Sequence, residues 1–149
     1  MTIRTRAAVA VLVPLAAVGL LAGPAAAAKP KPRPALLSTV SAMLGALQTD
    51  NLNIGTAAQA SNTVALAASC SSEEADAKSF LSLHRPKAWP KQGWTLLQQA
   101  MAQFAYAGHE CAYGATNVDV NALQQSLDAM STGTSLLKQA TVLFKAANP

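Results

Sequence analysis

The clearest structural pattern in this chain lies at residues 94–111, which read WTLLQQAMAQFAYAGHEC. Apolar or small residues recur here every three or four positions, which is the spacing of one face of an α-helix. No stretch of the chain sustains the period-two alternation that is typical of a half-buried strand. The spacing therefore predicts a helix with one buried seam, formed by Trp94, Leu97, Met101, Phe104, Gly108 and Cys111.

Similar patterns predict helices on both sides of this one. The polar stretch 49–53 ends a first helix, and Ser71 with Glu74 forms a capping box that starts a short one. A last helix begins after Asp119, and Gly133 is a position where it could kink or divide. The sequence thus predicts an all-α fold, a small helical bundle with four main helices plus one short helix. The predicted helices cover 35–48, 56–69, 72–83, a segment around 94–111 and a segment from 120 onward.

The two cysteines, Cys70 and Cys111, predict one disulfide. In an exported chain an even pair is most simply a bridge. It would close a loop of about 40 residues and stabilise the fold by about 4 kcal/mol. If the predicted helices alternate in direction, the second and fourth run parallel and place both cysteines at one end of the bundle. Two free buried thiols are the alternative, whereas a metal site would need paired Cys or His spacings that the chain lacks.

Residues 1–28 predict a cleavable secretory signal peptide. Arg4 and Arg6 precede an uncharged apolar run, and the alanines at 25–28 suit a cleavage site. The alternative is an uncleaved membrane anchor, since the run approaches the roughly 20 residues that span a bilayer. Residues 29–34 alternate cation and proline, which predicts a basic, disordered arm.

The bundle domain is therefore expected to cover residues 35–149 of a secreted protein. We expect that protein to be extracellular or associated with the cell envelope, without a transmembrane anchor after cleavage of the signal. The alanine-rich leader and composition are typical of proteins that high-GC bacteria export.

Much of the positive charge lies outside the predicted bundle. The chain has 11 Lys and Arg against 7 Asp and Glu. Arg4 and Arg6 belong to the signal peptide, and residues 29–34 hold three more cations, which leaves the bundle domain close to neutral. Nucleic-acid partners usually need a basic stripe, whereas this domain has a single arginine, Arg85, and no such stripe along its sequence. The sequence predicts no nucleic-acid binding.

The residues that could carry chemistry form no catalytic pattern. Most acids lie at predicted helix ends or in a predicted first turn, where free backbone amides favour carboxylates, and Glu110 lacks an obvious local role. The chain has no nucleophile-elbow spacing and no glycine-rich phosphate loop. We predict no catalytic residue, no metal and no cofactor, with a hydrolase built on Glu110 and His109 as the enzymatic alternative. The acids assigned to helix ends and first turns are Asp50, Glu73, Glu74, Asp76 and Asp119.

One face of the predicted helix around 94–111 carries Tyr106, His109 and Tyr113. Tyr and His can ligate haem iron, and His84 is the only other histidine that could act as a second ligand. The simpler interpretation has the tyrosine hydroxyls and His109 in water at the edge of the bundle. These residues are candidate ligand-binding groups of an extracellular small-molecule carrier for haem or a metal, which is the alternative function.

The loop at residues 85–93 is the candidate contact for a partner, with Arg85 and Trp89 as its contact residues. Trp89 lies between Pro86 and Pro90 and joins no helical seam, so it either covers the open end of the bundle or is an exposed anchor. The predicted function is a secreted, non-catalytic binding or interaction module. Its expected partner is a protein, a cell-surface polymer or an apolar ligand.

Overall fold

The computed structural model describes the backbone of residues 35–147 and the side chains of residues 39–147. The predicted signal peptide at 1–28 and the predicted arm at 29–34 lie outside the described residues. Within them the chain forms four α-helices and no strand, which confirms the predicted all-α bundle. The helices are α1 (Ala35–Gln59), α2 (Thr63–Leu81), α3 (Lys91–Asn117) and α4 (Val120–Ala147).

The first helix does not end at residues 49–53 as predicted, because α1 continues to Gln59. Two polar side chains of this stretch bond to the backbone of α1 itself. Thr49 Oγ1 and Asn51 Nδ2 each donate to the carbonyl four residues earlier, at 3.0 and 2.9 Å. Such side chains can be accommodated in a helix when they bond back to it in this way. Asp50 is buried against α2 and caps no helix end.

The predicted second helix and the predicted short helix are one continuous helix, α2. Ser71 lies inside it and does not cap a helix, since its hydroxyl donates to the carbonyl of Ala67 at 2.9 Å. The N-cap of α2 is Asn62, whose Oδ1 accepts a hydrogen bond from Ala65 N at 3.0 Å. A capping-box pattern is local, so it does not prevent a preceding alanine-rich segment from continuing the helix. The described residues therefore form four helices, without a separate short one.

The last helix begins where the sequence predicts and runs through Gly133 without a break. Asp119 Oδ1 accepts hydrogen bonds from the amides of Asn121 (2.9 Å) and Ala122 (3.2 Å), which confirms the predicted cap. Gly133 lies against α3, where a Cβ would come 3.2 Å from the carbonyl oxygen of Ala100. This glycine therefore allows two helices to approach closely and introduces no kink.

Successive helices run antiparallel and lie side by side. Close backbone contacts join α1 to α2, α2 to α3 and α3 to α4, and no other pair of helices among the described residues. The two short turns, 60–62 and 118–119, share one end of the bundle, here termed the turn end. The longer connection, 82–90, lies at the loop end with the start of α1 and the end of α4. The antiparallel register is shown by the neighbouring pairs Asn51–Glu73, Cys70–Cys111, Phe80–Trp94, Gly93–Phe144 and Gly114–Leu123.

The core forms around α3, whose predicted seam is buried along its whole length. Phe80 of α2 meets Trp94 with ring centroids 5.6 Å apart. Val40 and Leu47 bring α1 into the same core, and Leu137 adds a contribution from α4. Burial of apolar area at about 25 cal/mol per Å² is the main force that holds the four helices together.

The predicted disulfide joins α2 to α3, with the Cα atoms of Cys70 and Cys111 5.7 Å apart. The pairing is confirmed, but the expectation that it links two parallel helices is wrong. Because residues 63–81 form one helix, the bridged helices are adjacent in the chain and antiparallel.

Both short turns are built in the same way. A residue in the left-handed region ends one helix, Ser61 (φ 52°) or Val118 (φ 56°), and Asn62 or Asp119 then caps the next helix. Valine seldom adopts this conformation because its branched side chain crowds the backbone. Val118 is also 79% exposed, so burial of its side chain offsets little of the strain.

We expect Val118→Gly to raise the free energy of unfolding by about 1 kcal/mol, since glycine adopts positive φ without a steric cost. Ser61→Gly changes the equivalent position of the other turn and is the matched control. Ser61→Gly should raise the free energy of unfolding by less than Val118→Gly, because serine has no branched carbon at Cβ. Urea unfolding followed by circular dichroism measures both variants. If the free energy of unfolding rose equally in both variants, Val118 would carry no more backbone strain than Ser61.

Candidate functional site

Arg85 holds the predicted contact loop in one conformation. Its Nη1 donates to the carbonyl oxygen of Trp89 at 2.6 Å and to that of Pro86 at 3.3 Å. The amide of Trp89 donates to the Pro86 carbonyl at 3.0 Å, which closes a turn inside the loop. The guanidinium is exposed, yet its hydrogen bonds serve the backbone of the loop itself.

Trp89 is half-buried and packs into an aromatic cluster at the loop end. Its ring centroid lies 5.5 Å from that of Trp94 and 4.9 Å from that of Phe144, both with edge-on geometry. Aromatic pairs of this kind contribute about 0.5–1.5 kcal/mol beyond the area they bury. Of the two roles considered for Trp89, its position matches the cover of the bundle end.

The fold sorts the charged side chains into two halves of the bundle. Along the sequence of the described residues, acids and cations come in four alternating blocks. Because neighbouring helices are antiparallel, the two acidic blocks come level with each other. Glu74 of the first block lies beside Gly108, which is two residues before Glu110 of the second. The half towards the turn end therefore holds all the acids of the described residues, Asp50, Glu73, Glu74, Asp76, Glu110, Asp119 and Asp128.

The half towards the loop end holds the cations. Lys145 follows Phe144, which packs beside Gly93 at the start of α3. Lys78, at the boundary, pairs with Glu74. Within the part of the chain that the structure describes, the other cations are exposed and form no ion pair: Arg85, Lys87, Lys91, Lys138 and Lys145.

This basic half was not found from the sequence. The cations are dispersed along the chain, and only the antiparallel register brings them together. The signal that could have revealed it is the block pattern, since alternating acidic and basic blocks must segregate when helices of similar length fold back on each other.

The tyrosines and His109 lie on the outer side of α3 and turn to different neighbours. The Tyr106 hydroxyl donates to Gln125 Oε1 of α4 at 2.8 Å. His109 Nδ1 lies 3.6 Å from Glu74 Oε1 of α2. Tyr113, further along, is 51% exposed. These candidate ligand-binding side chains share an outer face, but their contacts point to opposite edges of it and do not converge on one atom.

Two carboxyl groups are buried between α1 and α2. Glu73 is fully buried; its Oε1 accepts a hydrogen bond from Asn51 Nδ2 at 3.1 Å, and its Oε2 has no hydrogen-bond partner among the described residues. Asp50, 7% exposed, also has one oxygen without a partner, Oδ2. Burial raises the pKa of Glu73 to about 8. The hydrogen bond from Asn51 opposes this increase, and the negative charge of Asp50 adds to it. Burial also raises the pKa of Asp50. A hydrogen bond from Ser72 opposes this increase, and the negative charge of Asp76 adds to it.

The sequence placed Glu73 in a first helical turn, and this is wrong. α2 starts ten residues earlier, at Thr63, so Glu73 lies in the helix interior. The buried residues of α2 are Cys70, Glu73, Ala77 and Phe80, spaced three, four and three apart. That spacing is the signal in the sequence that places Glu73 on a buried seam.

The described residues form neither a cluster arranged to hold a metal ion nor a helix able to span a membrane. Within residues 39–147, no group of three or more His, Cys, Asp or Glu side chains is arranged to hold a metal ion. His84, the candidate second ligand, lies beyond the end of α2, whereas His109 lies beside the middle of that helix. None of the described helices combines the length and the apolar character needed to cross a membrane.

Comparisons of the chain with protein-family models, characterised proteins and solved structures gave no match. The class of protein is therefore defined by its own fold and charges. Its described residues form an all-α bundle of four antiparallel helices, cross-linked once, with the acids in one half and the cations other than Lys78 in the other.

Proposed function

We propose that this chain is an exported, non-catalytic interaction module that attaches by its loop half to an anionic cell-surface polymer. The observation that carries the proposal is the gathering of five exposed, unpaired cations, with no acid of the described residues, in one half of the bundle. A polyanion is attracted to that half and repelled by the acidic half. The charge distribution therefore supports attachment in one orientation.

The strength expected of such attachment is modest. Each cation close to an anionic surface contributes about 1 kcal/mol, and five give roughly 5 kcal/mol before the cost of ordering. Charges further apart than about 8 Å are screened at physiological salt, so direct approach is needed. This supports reversible binding that depends on salt.

The loop supports the proposal because it is already ordered. The hydrogen bond from Arg85 to the Trp89 carbonyl and the packing of Trp89 on Phe144 fix the segment that presents Lys87. A loop held in its bound conformation loses little entropy when it binds. Trp89 then acts as a support of the contact surface, while Lys87 and its neighbours make the contact.

We expect replacement of Lys87, Lys91 and Lys145 by glutamine to weaken binding to dextran sulfate at least tenfold at about 0.15 M salt, since three favourable charges are lost. The slope of log binding constant against log salt concentration should fall by roughly one for each lysine removed. Biolayer interferometry of the purified protein over a salt series measures both quantities, with uncharged dextran as the reference polymer.

Lys78→Gln compared with Lys87→Gln is the matched control, because both remove one exposed lysine and Lys78 is paired with Glu74. Only Lys87→Gln should weaken binding. The proposal fails if the protein binds dextran sulfate no better than dextran, or if the two single variants lose affinity equally.

A further inference from the structure

α1 is attached to the rest of the bundle less firmly than the other helices. α2 and α3 share the disulfide and the close approach at Gly108, and α3 and α4 approach closely at Gly133. α1 has no cross-link, and a Cβ on Gly45 or Gly55 would meet nothing within 4 Å. Among the described residues, its close backbone contacts are with α2 alone.

The contact between α1 and α2 contains the two buried carboxyl groups. Within the part of the chain that the structure describes, Glu73 Oε2 of α2 and Asp50 Oδ2 of α1 have no hydrogen-bond partner, and Glu73 is fully buried. The uncharged partner facing Glu73 from α1 is Asn51, which can bond to the carboxyl in either protonation state. If one of these carboxyl groups is ionised, its negative charge is not compensated by a cation. If both are ionised, the two carboxylates repel each other in an environment of low dielectric.

No cation of the described residues offsets these charges. α1 has no lysine or arginine at all, and its only ionisable side chain is Asp50. On α2, Lys78 is bound to Glu74, and Asp76 adds a further negative charge next to Asp50. On α3, His109 contacts a carboxyl group of α2, with its Nδ1 3.6 Å from Glu74 Oε1. α4 makes no close backbone contact with α2 among the described residues.

We propose that α1 is a pH-sensitive element, which undocks from α2 when Glu73 and Asp50 are ionised together, while α2, α3 and α4 stay folded as one unit. Val40 and Leu47 hold α1 on the core when the carboxyl groups are neutral. Undocking exposes the apolar surface that α1 covers, so the device would regulate access to the core of the bundle.

The sign of the dependence follows from proton linkage. The pKa of Glu73 is about 8 in the docked state, and its ordinary value of 4.5 returns once the side chain reaches water. The docked state therefore holds a proton that the undocked state releases. Docking is strongest below the ordinary pKa and weakens as pH rises towards 8, by up to about tenfold per pH unit for one proton. Asp50, whose pKa is also raised, acts in the same direction.

Hydrogen exchange measured by mass spectrometry on the full chain tests the proposal. Protection factors of peptides from α1, corrected for the intrinsic pH dependence of exchange, should fall at least tenfold between about pH 6 and about pH 8. Peptides from α3 in the same samples should keep their protection. Glu73→Gln, which mimics the neutral acid, should keep α1 protected at both pH values.

Glu74→Gln is the matched control, because it makes the same change one residue along, on a side chain that faces α3. It should retain the pH dependence of α1. Asp50→Asn provides a second variant, expected to reduce the dependence, if Glu73→Gln does not fold. The proposal is overturned if α1 protection is equal at the two pH values, if α3 loses protection together with α1, or if both Glu73→Gln and Asp50→Asn leave the dependence unchanged.

Discussion

Gly108→Ala is expected to lower the free energy of unfolding by about 3 kcal/mol, the upper part of the usual range for an overpacked site. An added Cβ would lie 2.6 Å from the carbonyl oxygen of Cys70 and 2.7 Å from the amide nitrogen of Glu74. Both are backbone atoms of α2, so no side chain can rotate away to relieve the clash. The two helices would have to separate next to the disulfide that joins them. Urea unfolding followed by circular dichroism gives the value.

Gly45→Ala is the control for the general effect of alanine in a helix. Its Cβ would meet nothing within 4 Å, and alanine favours helix over glycine by about 1 kcal/mol. This variant should therefore be somewhat more stable than the natural chain. If Gly108→Ala also gained stability, the close approach of α2 and α3 at this position would be disproved.

The double variant Cys70→Ala/Cys111→Ala is expected to lose about 4 kcal/mol of stability in the chain-entropy model, because the bridge closes a loop with a sequence separation of 41. Alanine is chosen because both positions are buried and would leave a serine hydroxyl without a partner. Thermal and urea unfolding of the oxidised protein and of the variant measure the difference.

Reduction of the natural chain with dithiothreitol is the internal comparison. It should lower the stability of the natural protein by a similar amount and leave the variant unchanged. A natural chain whose unfolding is insensitive to reductant would contradict a stabilising bridge. Gly108 packs on Cys70, so the losses caused by Gly108→Ala and by removal of the bridge should not add when the changes are combined.

The proposed attachment and the proposed undocking concern different parts of the molecule. The five exposed cations that form no ion pair lie on the loop, α3 and α4, and α1 has no lysine or arginine. Loss of α1 contacts at high pH therefore leaves the basic half in place. The salt-dependence and hydrogen-exchange experiments consequently test the two proposals separately.

The sequence by itself determined the class of fold, the buried seam of α3, the cap at Asp119 and the pairing of Cys70 with Cys111. Each depends on a local pattern: apolar spacing along a helix, a capping side chain, or an even pair of cysteines. The boundary of α1 was missed for a related reason. Polar residues that usually end a helix can also bond back to it, and burial against another helix decides between the two.

Other features of the molecule depend on the tertiary structure alone. It placed Glu73 between α1 and α2 with no cation of the described residues as a partner, and it turned Tyr106 and His109 towards different helices. It also gathered dispersed cations such as Lys87 and Lys145 into one half of the bundle. These features depend on which helices are neighbours and in what register. Register is set by packing between residues far apart in the chain, such as Gly108 on Cys70, and no local pattern carries that information.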